Sequence, residues 1–571
     1  MPGEIFYKPN AARLSDTDAA PKLLGADVEL GNFILGMERE YGTAALAARA
    51  LLREVDGLPM LADSDYSVPG PSELQATGTN PQDWGRKYLS ANGGCVYIDL
   101  DHLECCTPEV LSAYDFAAAW HAMLRIVRSA LRTANTRLPD GLKIVVLVNN
   151  QDGQGHSYGT HLNVQVTRAA WERLFHRRVQ QQLLLASLQV SSIILTGQGK
   201  AVSERENADR GRYELSQRAS FFKCLVGPQT TCNRPLVNSR DEALCGRFTE
   251  LGCPADRLAR HHSIFFDATL CPGSIVLRAG LMQLWLSVLE RGSPDSYLGL
   301  MLEDPLEAVT RWSCDPTLTA GAGLLTGEEV TALELQRRFL DHTARFVGGG
   351  GCDGIVPAAS EIVALWADTL DKLSRRDFGA LAGRLDWVLK LQLLERAVQQ
   401  NPELDWSSPE IRHLDFKYSD LDEGLFWACQ QAGAVEALGV TEEQIRKFTQ
   451  QPPSNTRAWT RAHLLRLADP ATVAEVDWDR IMFKFRSPWG AETRRTVSLA
   501  NPLGFTRRDT QAVFRGAGDL NEALDLLGAP DHDPEPVSAT GQYWLWPGHQ
   551  ASRPARPLPN GGNEFNHEPP S

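Results

Sequence analysis

The chain has 571 residues, with 57 Lys and Arg against 71 Asp and Glu, a formal net charge of −14 and 43% apolar residues. That balance excludes broad nucleic-acid binding, which needs clustered cations at phosphates. The apolar share allows a large core and roughly two to four domains.

Residues 1–30 are weakly patterned and read as a loosely ordered lead-in. From 31 to 450, β-branched runs alternate with helical segments. "FILGMEREYG" (33–42) reads as a buried strand in which Glu38 and Glu40, two apart, share one face. "GGCVYIDLDHLE" places Tyr97 and Asp99 together, with Val96 and Ile98 behind them. Thr107-Pro108-Glu109 offers an N-cap, a first-turn proline and an acidic first turn. Phe116, Trp120, Met123, Leu124, Val127 and Leu131 follow at helical spacing. In "GTHLNVQV", His161, Asn163 and Gln165 share one face and Leu162, Val164 and Val166 the other.

The apolar stretch "LLLASLQVSSIIL" (183–195) is too short and polar to cross a bilayer. "GQGK" (197–200) lacks the spacing and the Ser or Thr of a phosphate-cradling loop, which leaves Arg218 and Arg240 as candidate phosphate clamps. Residues 328–450 are mostly helical, broken by "GGGG" at 348–351. A small C-terminal domain follows at 451–529, then a Pro-rich tail, 530–571, expected to be disordered. Within the tail, "YWLWP" (543–547) reads either as a docking peptide for a partner or as a segment folding back on an apolar patch.

A strand with a polar face is most simply one side of an antiparallel sheet turned to water. Wet faces usually carry Thr, Lys and Ser, however, and this chain repeats Glu, Asp and His. Such side chains converging on one concave face make a hard-cation site, typically Mg²⁺ carrying nucleotide phosphates. Cys245, Cys253, His261 and His262 have no standard zinc spacing. The eleven cysteines are odd in number, and no basic-then-apolar export signal opens the chain. They read as reduced core thiols of a cytoplasmic protein.

Taken in order, "GMEREYG", "NGGCVYIDLDHLECCTPE", "SYGTHLN", "TGQGK", "LSQRASFF", "RPLVNSRDE", "LDWVLKLQLLE", "YSDLDEGL", "PPSNTRAW" and "VDW" resemble the Pup ligase and depupylase family. These enzymes attach and remove the prokaryotic ubiquitin-like protein Pup. The resemblance spans about 33–528 and implies an α+β fold: a glutamine-synthetase-like antiparallel sheet cradle packed with helices, plus a small C-terminal domain. It implies ATP or ADP with Mg²⁺ as cofactors and a Pup-type protein as partner, with neither nucleic acid nor membrane. Carried over motif by motif, Asp99 is the catalytic aspartate. Glu38, Glu40, Tyr97 and Glu104 are metal-site positions, joined by His161 and His262. Thr107, Arg218, Arg240 and Trp478 contact nucleotide.

The details lean towards the depupylase branch, which cleaves an amide in the pocket where a ligase would form one through an acyl phosphate. Asp99-x-x-His102 is one residue shorter than the ligase pattern. Against this lean, depupylases carry a long insertion before the catalytic Asp, and 58 residues separate Glu40 from Asp99. The chain also departs from both branches: Cys95 stands where the family has Arg, "HPEY" appears as "HLEC", and Leu162 replaces a Glu. A small-molecule carboxylate–amine ligase and a non-catalytic Pup-binding module are the rival readings.

Overall fold

The computed structural model describes residues 19–37, 40, 42–59, 86–202, 212–241, 257–291, 297–486, 489–529 and 531–532. Its central element is a twelve-residue strand, β1 (Leu24–Leu35), whose even-numbered residues Leu24, Ala26, Val28 and Leu30 are buried. The expected lead-in therefore ends before residue 24. The sheet continues with β2 (Leu58–Pro59), β3 (Lys87–Tyr88), β4 (Cys95–Asp99), β5 (His102–Cys106), β6 (Lys143–Leu147), β7 (Thr160–Thr167) and β8 (Leu258–Ser263). Its spatial order is β8-β7-β1-β5-β4-β3-β2, with β6 joined to the C-terminal half of β1, and every pairing is antiparallel.

Register decides which side chains meet. Asp27 pairs with Cys106 on one side and His161 on the other, Glu29 with Glu104, Glu104 with Tyr97, and Asn163 with His262. Because side chains alternate, these polar residues share one face. Val28, Leu103, Val96, Leu162 and Val164 take the other and are buried.

The apolar face is covered by helices α1 (Thr43–Glu54), α2 (Ala113–Asn135) and α3 (Pro272–Arg291). The six apolar positions predicted for α2 are all buried. Its start differs from expectation: the N-cap is Ser112, whose hydroxyl accepts from the Tyr114 N–H at 3.2 Å, not Thr107. By length and composition α3 is long and apolar enough to cross a membrane, but its apolar stretch is wholly buried as a core helix.

A smaller unit follows. Helices α4 (Ala458–Leu467), α5 (Arg507–Gly516) and α6 (Leu520–Leu526) surround a sheet of β9 (Val473–Val476), β10 (Arg480–Arg486), β11 (Glu492–Ser498) and β12 (Asp531–His532). Pairing of Asp531–His532 with Arg494–Arg495 extends ordered structure into what reads as tail; residues 533–571, "YWLWP" included, lie outside the described residues. The apolar centre of this unit, including Leu464, Ile481, Phe483, Val497 and Leu524, is continuous with Tyr88, Cys95, Tyr97 and Cys106 of the main sheet. The small unit thus sits over the β3–β5 end of the polar face.

Candidate active site

The polar face opens into a cleft of about 910 Å³, walled at one end by the small unit. Its floor carries Asp27 and Glu29 from β1, Tyr97 and Asp99 from β4, His102 and Glu104 from β5, His161 and Asn163 from β7, and His262 from β8. Arg86, Arg234, Arg240, Arg260 and Arg457 line its sides, with Thr107 and Trp478. An acidic floor under basic walls is an arrangement that takes cations and anions together.

At one end, Asp27, His161 and His262 bring their ligand atoms within 4.8 Å of one another. His161 Nδ1 donates to Asp27 Oδ2 at 2.7 Å, and Asn163 Nδ2 donates to Asp27 Oδ1. His262 Nδ1 donates to Asn163 Oδ1 at 2.8 Å, which leaves its Nε2 buried with no hydrogen-bond partner. A ring held at Nδ1 by a carboxylate or amide, with Nε2 turned outwards, is how proteins prepare imidazole for a metal. Burial, then Arg260 and His161, push His262 well below its ordinary pKa, so the ring is neutral as a ligand must be. Burial opposes ionisation of Asp27, but His161, then His262 and Arg260, overcome it and hold its carboxyl below the usual range.

Glu104 has the opposite character. Burial, then the charges of Asp27, Glu29 and Asp99, push its carboxyl well above the usual range. Its Oε2 is buried without a hydrogen-bond partner. Gly159 supplies a third observation: a Cβ there would lie 2.5 Å from His161 Nε2 and 2.7 Å from Glu29 Oε1. The fold thus keeps open the space between the imidazole and carboxylate sets. Two orphaned ligand atoms, crowded carboxylates and a side-chain-free gap between them suit a divalent cation.

Of the residues expected from sequence, Asp99, Tyr97, Glu104, His161, His262, Thr107, Arg240 and Trp478 all line the cleft. Glu38 lies outside the described residues. Glu40 requires correction: β1 ends at Leu35, Gly36 turns the chain at φ +89°, and Glu40 is an exposed bend residue that does not line the cleft. The paired carboxylates on the floor are instead Asp27 and Glu29. They carry the same two-residue spacing in "GADVELG", eleven residues earlier than Glu38 and Glu40.

Arg218 sits one layer behind the wall. It is fully buried, and its guanidinium donates to the Tyr158 carbonyl. Arg234, which opens the "RPLVNSRDE" stretch but is not singled out from it, lines the cleft and donates to the Thr230 and Ser157 carbonyls. Thr107 does not cap a helix; its Oγ1 accepts from the Ala26 N–H at 2.9 Å and so fixes the edge of β1. His261 and His262 alternate across β8, and His261 stacks at 12° to Phe175, so the two rings face opposite sides of the strand; Cys245 and Cys253 lie outside the described residues.

Glu109 is buried between the two units. Its Oε1 accepts from Arg457 Nε at 2.7 Å and Arg461 Nη1 at 3.1 Å, and Oε2 accepts from Arg461 Nη2. Arg461 also donates to the Gly93 and Trp478 carbonyls, and its guanidinium lies 4.7 Å from the Trp478 ring centre. Tyr88 meets the same ring edge-on at 5.5 Å. Trp478 is therefore aimed into the cleft from the small unit by groups on both sides of the junction.

Comparison with known proteins agrees with this architecture. The family described as Pup-ligase protein matches residues 33–482. The chain is 36% identical to a Pup deamidase/depupylase of Mycolicibacterium smegmatis, over 77% of this chain and 83% of that protein. It is 31% identical to a Pup–protein ligase of Acidimicrobium ferrooxidans, over 74% and 88%. The crystal structure of the ligase PafA in complex with Pup superposes with a TM-score of 0.68 at 21% identity, over 89% of this chain and 91% of that one, and so shares the fold. A second structure, PafA with ADP, gives 0.63 at 23%, over 78% and 93%. By the extent of the family match and the identity to its curated relatives, this chain belongs to the Pup-ligase protein family.

Proposed function

We propose that the chain hydrolyses an amide or isopeptide bond on a Pup-type protein, with Asp99 as the reacting carboxylate and Mg²⁺ and ATP or ADP as cofactors. The observation that carries this reading is the single cleft in which Asp99 adjoins a buried carboxylate–imidazole set under arginine walls. Likeness to the M. smegmatis deamidase/depupylase supports the direction of the reaction. The apparent shortness of the segment before Asp99 loses force once Glu29 replaces Glu40 as its start, since 69 residues then intervene.

His161, His262, Glu29 and Glu104 would hold the cation, with Asp27 and Asn163 orienting the rings; Arg234, Arg240 and Trp478 would receive the nucleotide. When bound, the cation would supply positive charge among the crowded carboxylates, and the nucleotide would occupy the arginine-walled end of the cleft. Asp99 lies at the end of the β4–β5 hairpin, at the cleft surface, where a peptide can reach it. Its carboxylate attacks the amide carbon and the C–N bond breaks. The amine leaves with a proton drawn from water, and a second water hydrolyses the acyl-aspartate.

Intact-mass spectrometry tests the proposal, using a Pup-type peptide ending in Gln, its Glu-ending counterpart and a lysine-bearing acceptor in Mg-ATP. An amide-to-acid shift present with the unaltered chain and absent with Asp99→Asn is the expected result. A conjugate mass would instead favour the ligase direction, a reading kept open by the 31% identity to a Pup–protein ligase. The absence of both masses would overturn Pup chemistry for this cleft.

A further inference from the structure

The β4–β5 hairpin lays the parts of the cleft out in order. At the level of Cys95, its neighbour Tyr88 meets the Trp478 ring. Two residues on, Tyr97 pairs with Glu104, which pairs in turn with Glu29 of the carboxylate set. Two further on, Asp99 pairs with His102, and the turn Leu100–Asp101 closes the hairpin. Each step of two residues covers about 6.6 Å along a strand. Trp478, the crowded carboxylates, the reacting carboxylate and the turn therefore follow one another in a line, with the turn at the end remote from Trp478.

That turn is built to hold its position. Asn32 is 4% exposed; its Nδ2 donates to the Ala44 carbonyl at 2.7 Å and the Asp101 carbonyl at 3.0 Å, and its Oδ1 accepts from the Leu103 N–H at 2.9 Å. One buried amide thus ties the end of the hairpin to β1 and α1. Yet Leu100, inside this turn, is held at φ +52°, a region that favours glycine and tolerates asparagine, and is 73% exposed. A single exposed leucine is ordinary on a protein surface. A leucine that also occupies the left-handed region, lines the cleft and directly follows the reacting carboxylate is not. Neither the backbone nor packing among the described residues asks for its side chain, so its use lies with what enters the cleft.

We propose that Leu100 binds the departing side of the scissile bond, packing on the methylene stem of the lysine whose nitrogen leaves. The inference rests on the hydrolase reading above and deepens it by assigning a leaving-group contact. The acyl group belongs to a chain-terminal residue, whose α-carboxylate is drawn towards the cation set and the arginine walls. With the acyl carbon at Asp99, the amine side then faces the turn. A lysine stem is apolar along its length and gains by covering an exposed leucine. Ammonia, the leaving group of a primary carboxamide, has nothing to place there. Leu100 thus favours isopeptide over carboxamide substrates, acting through binding and not through the chemical step.

The test measures kcat and KM of the full chain on two substrates. One is a Pup-type peptide ending in Gln; the other is the same peptide joined through that side chain to the ε-amine of a lysine peptide. Leu100→Asn keeps a similar size and suits the left-handed backbone but removes the apolar surface, whereas Leu100→Met retains it. On the isopeptide, Leu100→Asn should raise KM about tenfold, the loss expected for one apolar side-chain contact, with kcat within twofold. Leu100→Met should stay within threefold in KM. On the carboxamide, both variants should stay within twofold in both constants, which also shows that they are folded. Equal losses on the two substrates would overturn the assignment and make Leu100 a support for Asp99. An unchanged isopeptide KM in Leu100→Asn would overturn it as well. An unaltered chain that hydrolyses only the carboxamide would overturn the contact and leave the hydrolase reading standing; one that hydrolyses neither substrate would remove both.

Discussion

Glu109 joins the two units, and replacing it with Gln should loosen them without disturbing either interior. Glu109, Arg457 and Arg461 are 6%, 2% and 0% exposed, so solvent screens none of the three. Removing the carboxylate charge takes from two buried guanidinium groups the counter-ion they share, a change that costs about 3–5 kcal/mol. A second route gives a similar figure. Burial opposes ionisation of Glu109, but Arg461 and Arg457 draw its carboxyl from 4.5 down to about 2, which by linkage corresponds to roughly 3 kcal/mol. Because the folded value is the lower one, this stabilisation is complete above pH 4.5 and disappears as pH falls towards 2. The assay is hydrogen exchange of the α4 amides, compared as the ratio of variant to unaltered chain at each pH. At pH 7 the ratio should be on the order of 100, and it should shrink progressively below pH 4.5. A ratio under about three at pH 7, or one that holds its value to pH 3, would refute the electrostatic account of the junction.

Other expectations follow from the cleft. Glu29→Gln should abolish the Mg²⁺-dependent rise in melting temperature with ADP, whereas Glu40→Gln, at an exposed bend, should leave both that rise and turnover within twofold; equal effects would undo the reassignment of the carboxylate pair. Gly159→Ala introduces a Cβ 2.5 Å from His161 Nε2, so one of the two ligand sets must move. The expected cost is about 1–3 kcal/mol in urea unfolding, with at least a tenfold loss of Mg²⁺ affinity by titration; an unchanged affinity would show that the gap is not the cation's. Leu100 is held at φ +52° and is 73% exposed at the β4–β5 turn. Leu100→Gly should therefore stabilise the chain by about 1 kcal/mol in the same unfolding assay; a destabilisation would mean that the side chain packs usefully.

Much of the polar face was legible because strand alternation is a local signal. "CVYID" and "THLNVQV" assign their residues to faces without any knowledge of partners, and both assignments match the structure. The central strand was misplaced by a competing signal of identical form. Glu38 and Glu40 repeat the spacing of Asp27 and Glu29, and only Gly36, which turns the chain at a positive φ, marks that the strand has already ended. The start of α2 shows the same ambiguity, since Thr107-Pro-Glu and Ser112-x-x-Asp115 are both plausible caps. Thr107 bonds the Ala26 N–H, Ser112 caps the helix, and Glu109 turns to the small unit. Its true partners lie 348 and 352 residues away, at the start of α4, where Arg457 is the N-cap and Arg461 stands four residues on. No window on the sequence can find that pairing, nor the seating of Arg86 on Tyr97, which depends on two strands coming into register.

The order in which these pieces appear during synthesis has its own consequence. Strand β1 is made before its partners: β6 and β7 follow more than a hundred residues later, and Lys22 waits for Glu290, 2.6 Å away in the finished fold. Until then an apolar strand with open edges persists in a growing chain, and closing such distant contacts is slow. Asp27 and Glu29 then have a second use. Two adjacent like charges on one face oppose stacking of identical nascent strands, so the pair that furnishes the cleft floor also guards the chain against self-association before the cleft exists.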